Sequence, residues 1–551
     1  MATSAFGRDL PAAERLAYEE GHDADLIPAN DPNHKDHDDP EKHGLSHTSS
    51  ESLSYRGNDT DVEKAGPDVP VTELSGTETA ATERDPNIVD WEGDDDPACP
   101  LNWTPARKWG NIAVLSGITL LTPLASSMFA PGVPRVMEEF KTENEALATF
   151  VVSVYILGYA IGPLVLAPMS ELYGRLWVYH VCNWAYVAFT VACALATSMN
   201  MLIGFRFMAG VFGVAPLTIG GGTIADLMRP AERGGAMAIW ALGPLLGPVI
   251  GPIAGGFLSD AEGWRWIFWV LAIAIGVMAI VGLFTMQETY GPTLLARKTK
   301  KLQKETGNTA LRSKLDLGLT PRQVFLRSIV RPLKLMTLSP ICALMSLYMA
   351  VVYGILYLLF TTFTFVFEQN YGFSESTVGL VYIGMGIGML GGLGLLGATS
   401  DRLMKRLAAK HSNGVLKPEY RLPPLMYGAP FIPAGLFIYG WTAQYNVQWA
   451  APIFGTLLVG VGLIAAFMAV NTYLVDAFTL YAASAMAAAT VLRSVFGACF
   501  PLFGLQMYGA LGLGWGNTLL GFLSLALCPI PWAFYYYGER MRNSKKFKVE
   551  F

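Results

Sequence analysis

Two arginines lie inside long apolar stretches of this 551-residue chain. Arg206 falls within the stretch 201–226, and Arg493 falls near the middle of the stretch 483–507. A guanidinium group in a lipid environment is costly unless it faces a cavity or has a partner. Each arginine therefore either faces a functional cavity or belongs to a buried pair, and for Arg493 the candidate partner is Asp476.

Acidic residues lie near the ends of these long apolar stretches. Asp226 and Asp476 lie at the C-terminal ends of two of them, and Glu171 lies four residues before Arg175 between two others. For the two aspartates we favour a structural role in ion pairs over a role as proton carriers. The bases within reach are Arg229, Arg233 and Arg493. For Glu171 and Arg175 we expect a charge pair between helices.

Residues 241–256 form a run of glycine and proline inside a further apolar stretch. Glycines recur at every fourth residue, which puts them on one face of a helix. That smooth face lets a neighbouring helix approach closely, while the prolines remove backbone donors and bend the helix. The run contains Gly243, Pro244, Gly247, Pro248, Gly251, Pro252, Gly255 and Gly256. Such a helix suits a membrane bundle whose parts rock against each other.

Twelve apolar stretches, each long enough to cross a bilayer, position these residues. The composition is that of a membrane protein, with 52% hydrophobic residues, 15% charged residues and a mean hydropathy of +0.36. The predicted spans 1 to 12 are 110–131, 147–168, 177–197, 201–226, 235–258, 264–286, 338–366, 376–398, 424–441, 448–473, 483–507 and 513–537. The sequence therefore predicts an all-α membrane protein with twelve transmembrane helices.

The first 100 residues have a different composition from the rest of the chain. They contain 25 acids against 7 bases, a net charge of −18, whereas the remainder carries +13. Few large apolar residues occur there, so we predict a disordered acidic tail. A metal site is the alternative reading of the tail histidines, but we favour a solvated tail and expect neither metal nor cofactor. These histidines are His34, His37, His43 and His47.

Lysine and arginine concentrate in alternate loops. The loop 287–337, the loop after span 8 and the C-terminus are basic, whereas the loops 198–200, 369–375 and 442–447 contain no base. Basic loops face the cytoplasm, so we expect a multi-pass protein with both termini cytoplasmic. An even number of spans agrees, because it requires both termini to lie on the same side.

The long basic loop divides the spans into two sets of six. The expected segments are a cytoplasmic tail 1–100, helical halves 101–287 and 338–538, a linker 288–337 and a basic C-terminus 539–551. A weak internal repeat supports this division, because an acid followed by bases occurs after span 2 and again after span 8. Span 8 also carries Gly384, Gly388 and Gly392, which we interpret as the counterpart of the glycine face of span 5.

Together these motifs resemble the major facilitator superfamily, and within it the fungal drug:proton antiporters with twelve spans. The segment Glu171–Arg175 resembles motif A, Arg206 with its neighbours Leu202 and Gly210 resembles motif B, and residues 243–256 resemble motif C, the antiporter motif. Further segments similar to the fungal members are 102–109, 287–308, 473–476, 483–494 and 500–503. The resemblance covers about residues 95–545.

This resemblance implies the major facilitator fold and a transporter that uses a proton gradient as its energy source. It implies that Arg206 couples proton movement to substrate release, and it makes Arg493 either a coupling group or an anchor for Asp476. It also implies that Glu171 and Arg175 latch helices together in one access state.

Aromatic residues on spans 2 and 7 are the candidates for substrate contact. Their rings suit a large substrate that is partly apolar or cationic, although such rings more often pack against neighbours or face lipid. The candidates are Tyr155, Tyr159, Tyr353, Tyr357 and Phe360.

The sequence favours a plasma-membrane efflux pump that exports small organic compounds, such as drugs, toxins or fungal secondary metabolites, by alternating access. A polyamine exporter is an alternative, but a polycation would need carboxylates inside the membrane to offset its desolvation. The candidates all stand at helix ends: Glu138, Asp226, Glu368 and Asp476. We therefore favour a neutral or weakly charged aromatic substrate. A proton-coupled nutrient importer is the least favoured alternative, because the resemblance ties residues 243–256 to exporters.

Other functional classes lack their signatures in this sequence. It has no phosphate-binding loop of ATP-driven pumps, no metalloprotease motif and no nucleophile elbow, so we do not expect an enzyme. The expected partners are a small organic substrate, protons and the lipid bilayer, without nucleic acid, and we expect a monomer.

Overall fold

The protein is described here from a computed structural model, which covers residues 87–544 apart from residues 94, 230, 231, 317, 319 and 412–416. Most of the predicted tail, including its four central histidines, and the last seven residues of the predicted C-terminus lie outside the described residues. Helices account for nearly all of the regular structure. The twelve-span prediction can therefore be compared helix by helix.

The first six spans follow the predicted order, and several begin at a residue that caps the helix. The side chain of Asn144 accepts hydrogen bonds from the backbone of Ala146 and Leu147, which fixes the start of span 2. The helices are α1 (Pro105–Ser127) and α2 (Val133–Glu139) for span 1, α3 (Glu145–Tyr173) for span 2, α4 (Arg175–Ala194) for span 3, α5 (Met199–Gly213) and α6 (Ala215–Leu227) for span 4, α7 (Arg233–Glu262) for span 5, and α8 (Trp264–Thr285) for span 6.

The linker between the halves is structured. It contains α9 (Gly291–Thr306), the short strand β2 (Arg312–Ser313) and α10 (Pro321–Leu338). A reciprocal capping box fixes the start of α10, because Thr320 and Gln323 each bond the other's backbone through their side chains. Neither linker helix was predicted, since the basic residues were interpreted only as a sign of orientation.

The last part of the predicted tail packs against this linker. This part of the chain contains the strand β1 (Ile88–Val89). The backbone N–H of Lys314 in the linker donates to the carbonyl of Val89 at 3.0 Å. The Lys314 side chain lies 2.7 Å from the carboxylate of Asp90. Hydrogen bonds from the backbone of Glu92 and Ala98 lower the pKa of Asp96, which also lies 3.6 Å from Lys298. The structure thus extends well to the N-terminal side of the predicted boundary at residue 100.

The second six spans are also present. They comprise α11 (Pro340–Tyr371) for span 7, α12 (Glu375–His411) for span 8, α13 (Pro423–Gly428) and α14 (Phe431–Gln444) for span 9, α15 (Ala450–Phe478) for span 10, α16 (Ala482–Leu527) for span 11 and the start of span 12, and α17 (Pro529–Asn543) for the end of span 12. Span 9 is interrupted before Phe431, close to the proline at position 430. Span 8 continues well past its predicted end at residue 398.

Spans 11 and 12 form one long helical segment with a sharp break. Ala482–Asn543 contains 62 residues, which as one straight helix would measure about 90 Å, three times the bilayer core. Gly512 interrupts it with φ 75° and ψ 168°, a backbone conformation that glycine adopts without the strain of a side chain. The eleven long apolar helical segments found in the described residues therefore contain twelve spans.

The glycine face of span 5 packs directly on span 1. A Cβ atom placed on Gly243 would lie 2.9 Å from the backbone nitrogen of Leu120, and one on Gly247 would lie 2.8 Å from that of Leu124. A Cβ on Gly255 would overlap the carbonyl oxygen of Met128. This close approach of two backbones is what small residues make possible in membrane helices.

A second glycine contact occurs once in each half, but the spans that make it are not the pair that we matched from the sequence, spans 5 and 8. The glycine face of span 8 packs on span 10, since a Cβ on Gly384 would lie 2.9 Å from the carbonyl oxygen of Ile453. The corresponding contact in the first half joins Gly158 of span 2 to span 4, where a Cβ would meet the backbone nitrogen of Val211 at 2.5 Å. The counterpart of span 8 is therefore span 2, and our assignment to span 5 was wrong.

The contact between spans 1 and 5 gives a direct test of packing. We expect Gly255→Ala to destabilise the protein by about 1–3 kcal/mol, because the added methyl group overlaps the carbonyl of Met128. Gly276→Ala in span 6 is the matched control, since a Cβ there meets nothing within 4 Å. The measurement is the thermal unfolding midpoint of the purified protein in detergent. Equal midpoints for the two variants would contradict the packing argument.

Candidate functional site

Arg206 lies in the interior of the first half. The helix that carries it begins at Ser198, whose hydroxyl accepts the backbone N–H of Met201 at 3.3 Å. The residue is 1% exposed, and its guanidinium donates to the carbonyl oxygens of Ser126 at 3.2 Å and Val152 at 3.4 Å. Span 4 thus places a permanent positive charge against the backbones of spans 1 and 2.

Aromatic rings surround this charge in place of a carboxylate. The guanidinium carbon lies 4.9 Å from the ring centre of Phe129, 5.3 Å from that of Tyr155 and 5.7 Å from that of Phe268. In the part of the chain that the structure describes, no acid forms an ion pair with Arg206. Ring faces and carbonyl dipoles therefore stabilise the charge. The buried ion pair that we considered for Arg206 is not formed.

A chain of polar contacts runs from Arg206 to the second half. The Tyr155 hydroxyl lies 2.9 Å from that of Tyr186 and donates to the carbonyl of Thr122 at 3.1 Å. The hydroxyl of Ser126, whose carbonyl accepts from Arg206, lies 3.1 Å from that of Tyr357 on span 7. The arginine is thereby linked through one residue to the interface between the halves.

The five predicted aromatic residues form part of one cluster at this interface. Ring centres lie 5.4 Å apart for Tyr155 and Tyr159, 5.0 Å for Tyr353 and Tyr357, and 5.7 Å for Tyr357 and Phe360. Four of the five are buried, and Tyr353 is partly exposed. The hydroxyl of Tyr159 is buried without a hydrogen-bond partner in the structure. Such an unsatisfied group is a candidate for contact with a ligand.

Arg493 lies beside the exposed member of this cluster. Its guanidinium carbon is 5.2 Å from the ring centre of Tyr353 and 5.4 Å from that of Phe467. The acid that we had considered as its partner, Asp476, instead pairs with Arg421 at 2.9 Å. Of the two alternatives for Arg493, an anchor for Asp476 or a coupling group, the structure therefore does not form the first.

One end of the bundle carries the linker, and we call it the basic end. There Arg175 lies 3.1 Å from the carboxylate of Asp226, so Asp226 pairs with neither Arg229 nor Arg233. Glu171, the expected partner of Arg175, lies at the surface, where the charges that act on it are Arg175 and the linker arginines Arg327 and Arg331. The carboxylate of Glu288 accepts the backbone N–H of Arg175 at 3.0 Å, which ties the motif A loop to the chain after span 6.

Tyr290 covers this arrangement. The guanidinium carbon of Arg175 lies 4.7 Å from the centre of its ring. Burial raises the pKa of Tyr290 to about 12, so the phenol stays neutral at physiological pH. The charges of span 3 and span 4 at this end are therefore paired within the first half.

The opposite end of the bundle carries an ion cluster that joins the two halves. Arg135, which follows span 1, contacts the carboxylate of Glu375 at the start of span 8. It also donates to the carbonyl of Ser259 at 2.6 Å and lies 3.2 Å from the carboxylate of Asp260. Next to this cluster, the carbonyl of Glu375 would overlap a Cβ placed on Gly256, the last residue of the glycine–proline run.

A cavity of about 680 Å³ opens beside this cluster. Its lining contains more acids than bases, with the bases Arg135 and Lys141. The acids are Glu138, Glu143, Glu368 and Glu375. The cavity lies between the ends of spans 1, 2, 7 and 8, and is separate from the aromatic cluster.

Comparison with known proteins identifies the family. Residues 115–501 match the sequence model of the Major Facilitator Superfamily. The chain belongs to this superfamily. It is 58% identical over 551 residues to "Efflux pump radE" of Floropilus chiversii, covering 100% of both chains. It is 59% identical over 491 residues to "MFS-type transporter penM" of Penicillium rubens, covering 89% of this chain and 96% of the relative.

Solved structures of the superfamily share the fold. A D-xylose–proton symporter superposes with a TM-score of 0.60 at 14% identity, covering 77% of this chain and 97% of that one. This likeness concerns the fold alone. The family model and the relatives establish a multi-pass membrane transporter of the superfamily and not an enzyme.

Several residues at these sites were missed by the sequence reasoning. Arg135, Asp260 and Glu375 were not singled out, although a base among the base-poor loops of one side is a signal that could have marked Arg135. Glu288 was seen only as part of a matching segment. Phe129 and Phe268 had no sequence signal at all, because only the packing of three spans brings their rings to Arg206.

The ion cluster predicts how the opposite end responds to loss of one charge. Glu375→Gln should weaken the closure there, since a partly exposed ion pair contributes about 0.2–1 kcal/mol, or roughly a 1.5- to 5-fold change in population. The readout is the rate at which a thiol reagent modifies Thr364→Cys, a buried position that donates to Ala130 across the halves. The exposed Cys499 is replaced by serine beforehand.

A control breaks a more exposed ion pair at the same end. Glu139→Gln removes the partner of Arg265, but both residues belong to the first half. We expect a higher modification rate only for Glu375→Gln. An equal increase for both variants would show that the cluster has no specific role in closure.

Proposed function

We propose that this protein is a proton-coupled efflux pump that exports small organic compounds across the plasma membrane by alternating access. It works as a monomer, without a cofactor, and its basic end faces the cytoplasm. The positive-inside rule supports this orientation, because the exposed bases of α9 lie at that end. Export is supported by the name of the relative that is 58% identical over the full length.

One observation carries the mechanism: of the ion pairs described above, only the one at the opposite end joins the two halves directly, whereas at the basic end the linker helix α10 contacts span 2 and span 11. At the opposite end Arg135 joins Glu375, whereas at the basic end Asp226 and Asp476 each pair with an arginine of their own half. Further contacts between the halves also lie away from the basic end. Ser153 of span 2 donates to the carbonyl of Ala498 at 3.0 Å. This arrangement supports a state that is closed to the outside and reached from the cytoplasm.

Arg206 is the residue through which we propose that protons and substrate are coupled. Its charge is stabilised by carbonyls and rings, so small shifts of spans 1, 2 and 6 change its environment without breaking a strong ion pair. Through Ser126 and Tyr357 the same shifts reach the second half. The pairing of Asp226 and Asp476 with arginines supports the structural role that we favour for these acids.

The aromatic cluster supports an organic substrate bound near the middle of the membrane. The acids at the basic end, Asp226 and Asp476, are paired with arginines, and the four carboxylates of the cavity lie at the opposite end. A polycation at the aromatic cluster would therefore meet Arg206 and Arg493 rather than an acid. An aromatic cluster whose neighbouring charges are arginines favours the export of an aromatic drug, toxin or secondary metabolite.

The acidic cavity supports one alternative function, the export of polyamines. Four carboxylates against two bases, with a volume of about 680 Å³, would suit a polyamine leaving toward the outside. A polyamine exporter is therefore the second candidate function. An importer of nutrients has no comparable observation in its favour.

The test is efflux from a pump-deficient yeast that expresses this chain. Cells are loaded with fluorescein, an aromatic dye without a cationic group, supplied as its diacetate, or with labelled spermidine, and efflux is followed with and without an uncoupler. We expect uncoupler-sensitive loss of fluorescein, reduced at least about tenfold in Arg206→Ala at equal surface expression, since a hydrogen bond to a charged group contributes about 1.5–3 kcal/mol. The control is Arg297→Ala, which removes an exposed arginine of α9.

Three outcomes would contradict the proposal. Efflux of spermidine alone would identify a polyamine exporter and shift attention to the acidic cavity. Accumulation that the uncoupler abolishes would indicate an importer. Full activity of Arg206→Ala would remove the arginine from the coupling mechanism.

A further inference from the structure

Arg493 is placed where the contact between the halves ends. Gly497, one helical turn further along span 11, faces both halves, since a Cβ there would lie 3.0 Å from Tyr353 of span 7 and 3.3 Å from Ile156 of span 2. Residues four positions apart share a helix face. Arg493 therefore lies on the interface side of span 11, one turn nearer the basic end than this contact.

Tyr353 occupies the equivalent position on span 7. Tyr357, one turn further from the basic end, contacts Ser126 of the first half and is buried. Tyr353 and Arg493 are both partly exposed. The two side chains thus lie together one turn nearer the basic end than the buried contacts between the halves, and each keeps part of its surface exposed.

The charge of Arg493 has no anionic partner. Among the described residues none accepts a hydrogen bond from its guanidinium and no acid pairs with it, and its Nε is buried without a partner. Asp476 of the neighbouring span is engaged by Arg421. The rings of Tyr353 and Phe467 lie against the guanidinium. The helix begins at Ala482, so the charge lies about 16 Å along the span, inside the bilayer.

Among the described residues Arg206 also lacks an acidic partner, and its Nε is likewise buried without a partner, but it differs from Arg493 in exposure and in hydrogen bonding. It is 1% exposed and donates to two backbone carbonyls. It is also enclosed by rings of its own half. No ligand could reach its charge without opening the first half. Arg493 is therefore the arginine whose N–H donors remain available to a ligand.

We propose that Arg493 binds the acidic group of the substrate and that the exported compounds are organic acids with an aromatic part. The guanidinium pairs with a carboxylate, or with an oxygen that is acidic enough to ionise, through its planar set of donors. The ring of Tyr353 then stacks on the aromatic part of the same molecule. This inference rests on the proposed function and specifies its substrate class.

The proposal also explains how an unpaired arginine is tolerated inside the membrane. Without substrate, the guanidinium is stabilised by two rings and by the partial exposure of the side chain. With an anionic substrate, the charge is neutralised and the interface becomes less polar. Neutralising the site would make it easier for the halves to close over the bound molecule.

The test is direct binding to the purified protein in lipid nanodiscs, without any proton gradient. The probes are 2-naphthoate and 2-naphthamide, which have the same ring system and differ in charge. We expect naphthoate to bind at least tenfold more tightly at neutral pH. Arg493→Gln should weaken naphthoate binding by roughly 30-fold or more, as expected for loss of one partner of a buried charge pair, and leave naphthamide binding unchanged.

Two further variants separate charge recognition from folding. Arg493→Lys keeps the charge but loses the planar donors, so its affinity for naphthoate should fall between those of wild type and Arg493→Gln. Lys300→Gln removes an exposed charge from α9 and should leave both affinities unchanged. Unchanged naphthamide binding by Arg493→Gln shows that this variant is folded.

The proposal is overturned if naphthoate and naphthamide bind equally, if neither binds the wild-type protein, or if Arg493→Gln retains the wild-type affinity for naphthoate. These results are independent of proton-driven efflux, which the fluorescein assay measures in cells. Preserved discrimination without uncoupler-sensitive efflux would leave the acid site in place and reject only the proton-coupled pump. Uncoupler-sensitive efflux, combined with equal binding of naphthoate and naphthamide, would support the proton-coupled pump and reject the acid site.

Discussion

Close approach of helix backbones through glycine is the constraint on which this structure depends. Inside a bilayer the spans gain little from burying apolar side chains against each other, so dispersion contacts at short range hold them together. Spans 1 and 5 approach until a Cβ on Gly247 would lie 2.8 Å from a backbone nitrogen, and spans 2 and 4 do the same at Gly158. These contacts fix the positions of the helices that carry Arg206 and the tyrosines.

The same glycine–proline run serves two surfaces. Gly243, Gly247 and Gly255 face span 1 in the same half, whereas Gly256 faces the start of span 8 in the other half. A shift of span 5 therefore changes the packing within one half and the contact between the halves together. This shared helix connects the interior of the first half to the ion cluster at Arg135, and it offers a physical basis for coupling the site to closure of one end.

Charges inside and beside the membrane follow the cost of desolvation. At the ends of the spans, two aspartates pair with arginines: Asp226 with Arg175 and Asp476 with Arg421. In the interior Arg206 has backbone carbonyls and rings instead. Arg493 has rings alone, which is why it is the residue most suited to receive an external anion.

The sequence alone determined the twelve spans, the division into two halves and the side on which the bases lie. It could do so because the thickness of the bilayer fixes the length of an apolar segment, and because a glycine at position 512 or a proline at 430 acts on the local backbone. Only the tertiary structure decided which charges meet. Asp476 pairs with Arg421 rather than Arg493, and Arg135 reaches Glu375 across 240 residues of chain, since such partners depend on how helices pack and not on their spacing in the sequence. The linker helices and the rings around Arg206 were decided in the same way, because their side chains gain a role only once three or more spans have assembled.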